Sequence, residues 1–340
     1  MNLLKLYRDV EKYICRVDTA ALWKDFRPLR FALYDESSCC FDGKTVEKTP
    51  EFLANTSIEY HGEQIAIWNV QGEIDPIILA SKLIHEMFHG FQRMNGESRF
   101  PDELHALCTY QYTDENLSAK LQENRLLAQL VQEFSSEKFS EFLSLRKYRS
   151  EHFPEEFLYE AKTEQIEGSA TYVELCALQS LSPDVFEKRL AQMCDEIVEP
   201  KNLLPVRIVS YDIGALLLYV LRQNGLSFPA EFEEKTFSER LLSQHNAVAA
   251  YEPLEMLPHI EAYYHDAKCI MEQVRAKNDI IFAGETTLLG VNVYNAVYLD
   301  GCILSKYFVM YGDSQSPNIE YGDFLIETPK PGLATKIFKA

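Results

Sequence analysis

Residues 76–93 read Pro76-Ile-Ile-Leu-Ala-Ser-Lys-Leu-Ile-His-Glu-Met-Phe-His-Gly-Phe-Gln-Arg93. Asp75 is a good N-cap, Pro76 suits the first helical position, and Asn95-Gly96 supplies a stop, so the stretch predicts a helix. His85 and His89 are four apart and share one helical face. Two neutral imidazoles at that spacing can share one tetrahedral zinc ion. Glu86 is turned by about 100° from His85, which puts it beside the ion and not on it. A His-Glu-x-x-His match also arises by chance, usually on an exposed or irregular stretch. Here Leu79, Ala80, Leu83, Ile84, Met87, Phe88 and Phe91 surround it, and a helix apolar almost all round is a buried one. Burying two imidazoles and a carboxylate without a task is costly.

The surrounding composition narrows the class. A chain of 340 residues with 46% hydrophobic content can build a substantial core. Its formal charge of −19 argues against nucleic acid and anionic membrane partners. Leu3, Leu6, Val10, Ile14 and Val17 form a helical stripe interrupted by charges, unlike a signal peptide. No apolar run reaches the ~20 residues a membrane span needs. The eight cysteines are scattered without a Cys-x-x-Cys pair, and adjacent Cys39 and Cys40 read as chance neighbours. These features predict a cytoplasmic protein with reduced thiols.

Outward from the helix, Leu29–Tyr34, Ser57–Tyr60 and Gln64–Val70 read as strands, with tight turns at Asp42-Gly43 and His61-Gly62. Helical patterns cover Glu115–Phe134, Ser136–Leu145, Glu155–Leu178, Pro183–Ile197, Ser210–Gln223 and Ile260–Val274. Val291–Tyr298 and Cys302–Met310 flank a hairpin signal at Leu299-Asp300-Gly301. The expected fold class is α+β: a small N-terminal sheet packed on the zinc-site helix, a large helical body and a β-rich C-terminal appendage. The expected division is 1–275 (sheet and site helix 1–94, helical part 95–275) and 276–340.

Two histidines leave a catalytic zinc site one protein ligand short. A third histidine six residues on would fall at Asn95, so that pattern is absent. Within the helix predicted over 155–178, Glu160, Glu164, Glu167 and Glu174 recur at helical spacing. The pattern also fits a solvated face, but carboxylates stacked without basic partners repel, and a divalent cation would relieve that. Periodicity alone does not separate Glu164 from Glu167. Gly168 and Ala170 beside Glu167 would let a second helix come close. Glu164 or Glu174 would serve as hydrogen-bond partner to a ligand histidine, with Glu164 the favoured one. His105 is a reserve ligand, and His61 reads as a turn residue.

His85-Glu86-x-x-His89, followed by the Glu167-Gly-Ser-Ala-Thr-Tyr run, resembles the gluzincin zinc metallopeptidases, the superfamily of thermolysin-like enzymes. The resemblance spans roughly residues 60–225 at motif level. It implies His85, His89 and Glu167 as ligands to Zn²⁺ and Glu86 as general base. A Tyr-x-x-Gly segment at Tyr211 matches one that opens a helix beside the gluzincin site, which implies Tyr211 as oxyanion donor; Ser210 as a plain N-cap and Gly214 as a packing contact explain the same letters. It also implies that Gln64–Val70 is an edge strand to which a substrate peptide adds. Glu167 follows His89 by 78 residues (167 − 89), a longer gap than in thermolysin-like enzymes. The function expected is zinc-dependent hydrolysis of a peptide or protein substrate. The alternatives are a non-catalytic binding module on a peptidase scaffold and a zinc hydrolase acting on a non-peptide amide.

Overall fold

The computed structural model describes residues 2–228, 231, 233–249 and 251–340, and its fold class is α+β. Helix α1 (Leu3–Ile14) buries Leu6, Tyr7, Val10 and Ile14, the stripe marked by their spacing. The short α2 (Thr19–Leu22) follows, capped by Asp18. Strands β1 (Arg30–Tyr34), β2 (Cys39–Phe41), β3 (Lys44–Val46), β4 (Thr56–Tyr60) and β5 (Glu63–Asn69) form one sheet in the order β3-β2-β1-β5-β4. Only the β1–β5 pair is parallel. Both short hairpins turn on residues with positive φ: 52° and 65° at Asp42-Gly43, 52° and 82° at His61-Gly62. Such pairs match the twist of two-residue hairpins. Phe31, Leu33 and Ala66 face the main core, while Ala32, Tyr34, Ile65 and Ile67 meet Phe52 on the other side. β5 lies between β1 and β4, so it is no edge strand, contrary to the expectation; β4 has taken the edge by folding back across the His61-Gly62 turn.

Helix α3 (Pro76–Met94) runs from its Asp75 cap, whose side chain accepts from the Ile77 amide at 2.7 Å, to Asn95. Leu79, Leu83, Ile84, Met87 and Phe88 are fully covered, packed between the sheet, α1 and the helical body. That body comprises α4 (Glu103–Thr109), α5 (Asp114–Gln132), α6 (Ser136–His152), α7 (Pro154–Thr163), α8 (Ser169–Leu181), α9 (Pro183–Val198), α10 (Val206–Gln223), α11 (Phe237–Ser243) and α12 (Leu257–Lys277). The single helix expected over 155–178 is instead α7 and α8 joined by a π-helical turn at Glu164–Gly168. This turn meets α10 backbone to backbone. A Cβ on Gly168 would lie 2.7 Å from Gly214 Cα, and one on Gly214 would lie 2.8 Å from the Glu164 carbonyl oxygen. Only glycine fits at both positions. α10 starts after Pro205, so Ser210 is no N-cap and Tyr211 does not open the helix; the Ser210 hydroxyl donates to the Val206 carbonyl at 2.9 Å.

The carboxylate stripe does have basic partners, contrary to the sequence reading. They come from α5 and α6, which local periodicity cannot see. Glu160 takes Lys120 at 2.6 Å and Arg149 at 2.5 Å, and Glu164 takes Arg146 at 2.7 Å. Glu123 joins the set through Arg146 at 2.6 Å and Arg149 at 3.1 Å. Three cations and three carboxylates, all buried, thus balance one another.

The chain ends in β6 (Ile280–Val291), β7 (Val297–Leu299), β8 (Cys302–Ser305), β9 (Phe308–Asp313), β10 (Ser316–Tyr321), β11 (Phe324–Glu327) and β12 (Leu333–Lys339), a seven-stranded sheet in the order β10-β9-β6-β12-β11-β8-β7. The strand expected over 291–298 is interrupted by a 3₁₀ turn at Val293–Asn295, and the expected hairpin turns at Asp300-Gly301. Ala267, Met271 and Val274 of α12 pack against Cys302, Leu304, Leu325 and Phe338. No helix among the described residues is long and apolar enough to cross a membrane.

Burial pushes the Glu160 carboxyl up, but Arg149 and Lys120 overcome it and hold it at about 2, against 4.5 ordinarily. A depressed folded value means stabilisation that is full above pH about 4.5 and lost as pH falls toward about 2. Acid titration followed by circular dichroism should show stability falling through that window. Glu160→Gln leaves Lys120 and Arg149 short of a counter-charge and should cost about 3–5 kcal/mol in urea unfolding at neutral pH.

Candidate metal centre

His85 and His89 project from α3 on the same face, with their ring centroids 4.8 Å apart. The π turn brings Glu167 to meet them. His85 Nε2 lies 3.1 Å from His89 Nε2, and Glu167 Oε2 lies 3.2 Å from His89 Nε2 and 3.8 Å from His85 Nε2. Ligands about 2.0–2.1 Å from a tetrahedral zinc stand about 3.3 Å from one another. The three atoms therefore describe one face of such a tetrahedron. Among the described residues this is the cluster whose donor atoms can hold an ion, and His105 lies outside it, exposed on α4. His61 is a turn residue, as read.

Each donor is fixed by a neighbour. His89 Nδ1 is 2.8 Å from Gln92 Oε1, and the Gln92 amide donates to the Ile166 carbonyl at 2.9 Å and to Ser169 Oγ at 3.0 Å. With its Nδ1 proton given to Gln92, His89 turns a lone pair toward the cluster. His85 Nδ1 faces Glu174 Oε2 at 3.2 Å, close enough for an ion pair but off line for a hydrogen bond. Lys82 approaches the other oxygen of Glu174 at 3.4 Å. Glu174 is thus the partner of His85. Glu164, the favoured candidate in the sequence reading, is not: its carboxylate points the other way, to Arg146 and to Ser238 at 2.9 Å. The π turn rotates Glu167 out of line with Glu164, which regular periodicity could not anticipate.

Arg207 donates to Glu167 Oε1 at 3.3 Å and to Glu103 Oε1 at 3.0 Å, which leaves Glu167 Oε2 facing the histidines. It also donates to the Tyr211 hydroxyl, which lies 2.7 Å from that of Tyr294 in the C-terminal 3₁₀ turn. Glu86 and Tyr211 line, with His85, Trp68 and Ile208, an open cleft of about 310 Å³. His89 and Glu167 are not among its lining residues and are mostly buried.

The electrostatics follow from this packing. Burial raises the Glu167 carboxyl, but His89, His85 and Arg207 together carry it well below the ordinary carboxylate range. Glu174 is likewise held at about 2, against burial, by His85 and Lys82. Burial depresses His85, and the carboxylates of Glu167 and Glu174 outweigh it, to about 10 without an ion. Burial and the nearby charge of Glu167 push the Tyr211 phenol far up, so it keeps its proton. Asp212, at the cleft wall beside Arg189, is raised to about 7 by burial.

Of the residues singled out in the sequence, His85, Glu86 and Tyr211 line one cleft, and His89 and Glu167 converge with His85. Sequence reasoning missed Gln92, Arg207 and Tyr294. Gln92 was legible, three residues beyond His89 on the same face. Arg207 stands one turn before Tyr211, a weak signal. Tyr294 gave none, because it is brought in by a 3₁₀ turn far along the chain. Set against known protein families, curated proteins and solved structures, the chain matches none.

Gln92 joins α3 to the π turn by two buried bonds, its amide donating to the Ile166 carbonyl and to the Ser169 hydroxyl. Gln92→Leu should therefore lower stability by about 1–3 kcal/mol, measured by urea unfolding of metal-free protein. An unchanged midpoint would mean that the Ile166 carbonyl and the Ser169 hydroxyl find other partners.

Proposed function

We propose that this chain is a zinc-dependent peptidase of gluzincin type. The observation that carries the reading is the triangle of His85, His89 and Glu167 donor atoms, with edges of 3.1, 3.2 and 3.8 Å, at a cleft that His85, Glu86 and Tyr211 line. Two histidines and a glutamate are a recurrent catalytic donor set for zinc, with a fourth position left open. Bound there, the ion would supply Lewis acidity, polarising a scissile carbonyl and acidifying water.

The remaining chemistry belongs to the chain. Glu86 accepts a proton from water and returns it to the departing amine. Tyr211, protonated at all working pH, donates toward the oxygen on which negative charge develops. Arg207 holds Tyr211 in place and keeps Glu167 to one free oxygen. Trp68 and Ile208 offer apolar walls for substrate side chains, and the free edge of β4 lies on the same sheet. A peptide or protein is the substrate class in this reading. A purely structural metal would need no carboxylate like Glu86 beside it in an open cleft, which disfavours the binding-module alternative. The acidic balance disfavours nucleic acid as partner, and eight free thiols suit the cytoplasm.

Metal analysis of purified protein should give about one zinc per chain. His85→Ala, His89→Ala and Glu167→Ala should each empty the site, while Glu174→Ala should weaken zinc by about 10–100-fold. Full zinc in the His85→Ala, His89→Ala double variant would remove the whole reading.

A screen of mixed peptides, with and without chelator, should find a cleaved substrate. On that substrate Glu86→Gln should retain zinc but lose turnover by about 10²–10⁴. If Glu86→Gln stayed active, another group would be the base.

A further inference from the structure

A second cavity, of about 300 Å³, lies between the helical body and the C-terminal sheet, apart from the metal cleft. Its walls carry six tyrosines: Tyr110, Tyr112, Tyr159, Tyr263, Tyr264 and Tyr298. All six are half-buried, and five form a chain of touching rings. Centroids are 6.1 Å apart for Tyr159–Tyr110, 4.6 Å for Tyr110–Tyr112, 5.7 Å for Tyr112–Tyr263 and 5.1 Å for Tyr263–Tyr264. Three of the hydroxyls are tied into the protein: Tyr110 to Glu160, Tyr159 to Glu103, and Tyr112 to the Val206 amide. Those bonds fix the rings. The Tyr298 hydroxyl meets the Gly301 backbone, whereas those of Tyr263 and Tyr264 have no hydrogen-bond partner among the described residues.

The charges around the cavity are of one available sign. Arg207, its only basic lining group, is already engaged by Glu103 and Glu167. Asp300, at the hairpin turn on the rim, is exposed and has no ion-pair partner among the described residues. Burial pushes the Cys108 thiol up to about 11, so it adds no charge near neutral pH. Fixed ring faces, free phenols and an unpaired carboxylate form the surroundings that attract an organic cation, since aromatic faces carry negative charge density. An anion would meet that same charge as repulsion. A neutral ligand would leave Asp300 without a counter-charge.

We propose that this cavity binds a small organic ammonium ion, its charged end against the tyrosine rings and near Asp300. The cavity shares Arg207 with the metal centre, but the ligand proposed for it does not rest on the peptidase reading.

The test is calorimetric titration of the full chain with choline and, separately, with 3,3-dimethylbutan-1-ol, which has choline's shape without its charge. Choline should bind saturably, and the neutral alcohol about tenfold more weakly or worse. Tyr263→Leu should weaken choline about tenfold. Asp300→Asn should weaken it several-fold, and asparagine tolerates the positive φ of 49° at this exposed turn, so the fold is spared. Equal binding of the two ligands would overturn the proposal. So would the absence of saturable choline binding, or choline affinity unchanged in both variants.

Discussion

The site depends on the contact between Gly168 and Gly214, where two helices meet without a side chain between them. A Cβ at either position would collide with backbone, which has nowhere to move cheaply. That contact sets α10 against the π turn. Once there, Arg207 and Tyr211 fall beside Glu167, and Gln92 of α3 reaches the Ile166 carbonyl. The polar geometry of the donor cluster is thus set by an interface with no side chain of its own. The π turn serves the same end, because its wider coil turns Glu167 toward the histidines while Glu164 faces the opposite way.

Behind this interface lies the balanced set of Lys120, Arg146 and Arg149 with Glu123, Glu160 and Glu164. Buried pairs of this kind rarely add net stability over apolar residues of equal size, because desolvation offsets the attraction. What they impose here is uniqueness of arrangement. Five ion pairs and the Asn116 contact to Arg149 fix the rotation of α5, α6 and α7 about their axes. A register slip in any of the three helices would strand a charge. The chain that carries Glu167 is held on one side by this network and on the other by the glycine contact.

The parts of the molecule legible in the sequence are those written locally. The cap and stop of α3, the turns at Asp42-Gly43 and His61-Gly62, and the Asp300-Gly301 hairpin each need only a few adjacent residues. The His85, Glu86 and His89 spacing is of the same kind. Glu167 was legible through the small residues beside it. The remainder depends on pairing across the fold. Whether Glu160 and Glu164 were free or paired turned on arginines about 11 and 18 residues away on other helices. The starting point of α10 depended on Pro205 more than on Ser210. The edge position of β4 depended on which neighbour β5 accepted on each side. A chain read in order does not announce these choices, since each is made by a surface that exists only after folding.

Tyr294 meets Tyr211 across 83 residues of sequence, from a 3₁₀ turn to helix α10. A ribosome therefore delivers His85, His89, Glu167 and Tyr211 well before it delivers the residue that bridges to Tyr211. Domains fold as they emerge, the N-terminal portions first. A growing chain can assemble the donor cluster before Tyr294 arrives to meet the Tyr211 hydroxyl. The order of synthesis by itself separates the moment the cluster forms from the moment its surroundings are complete.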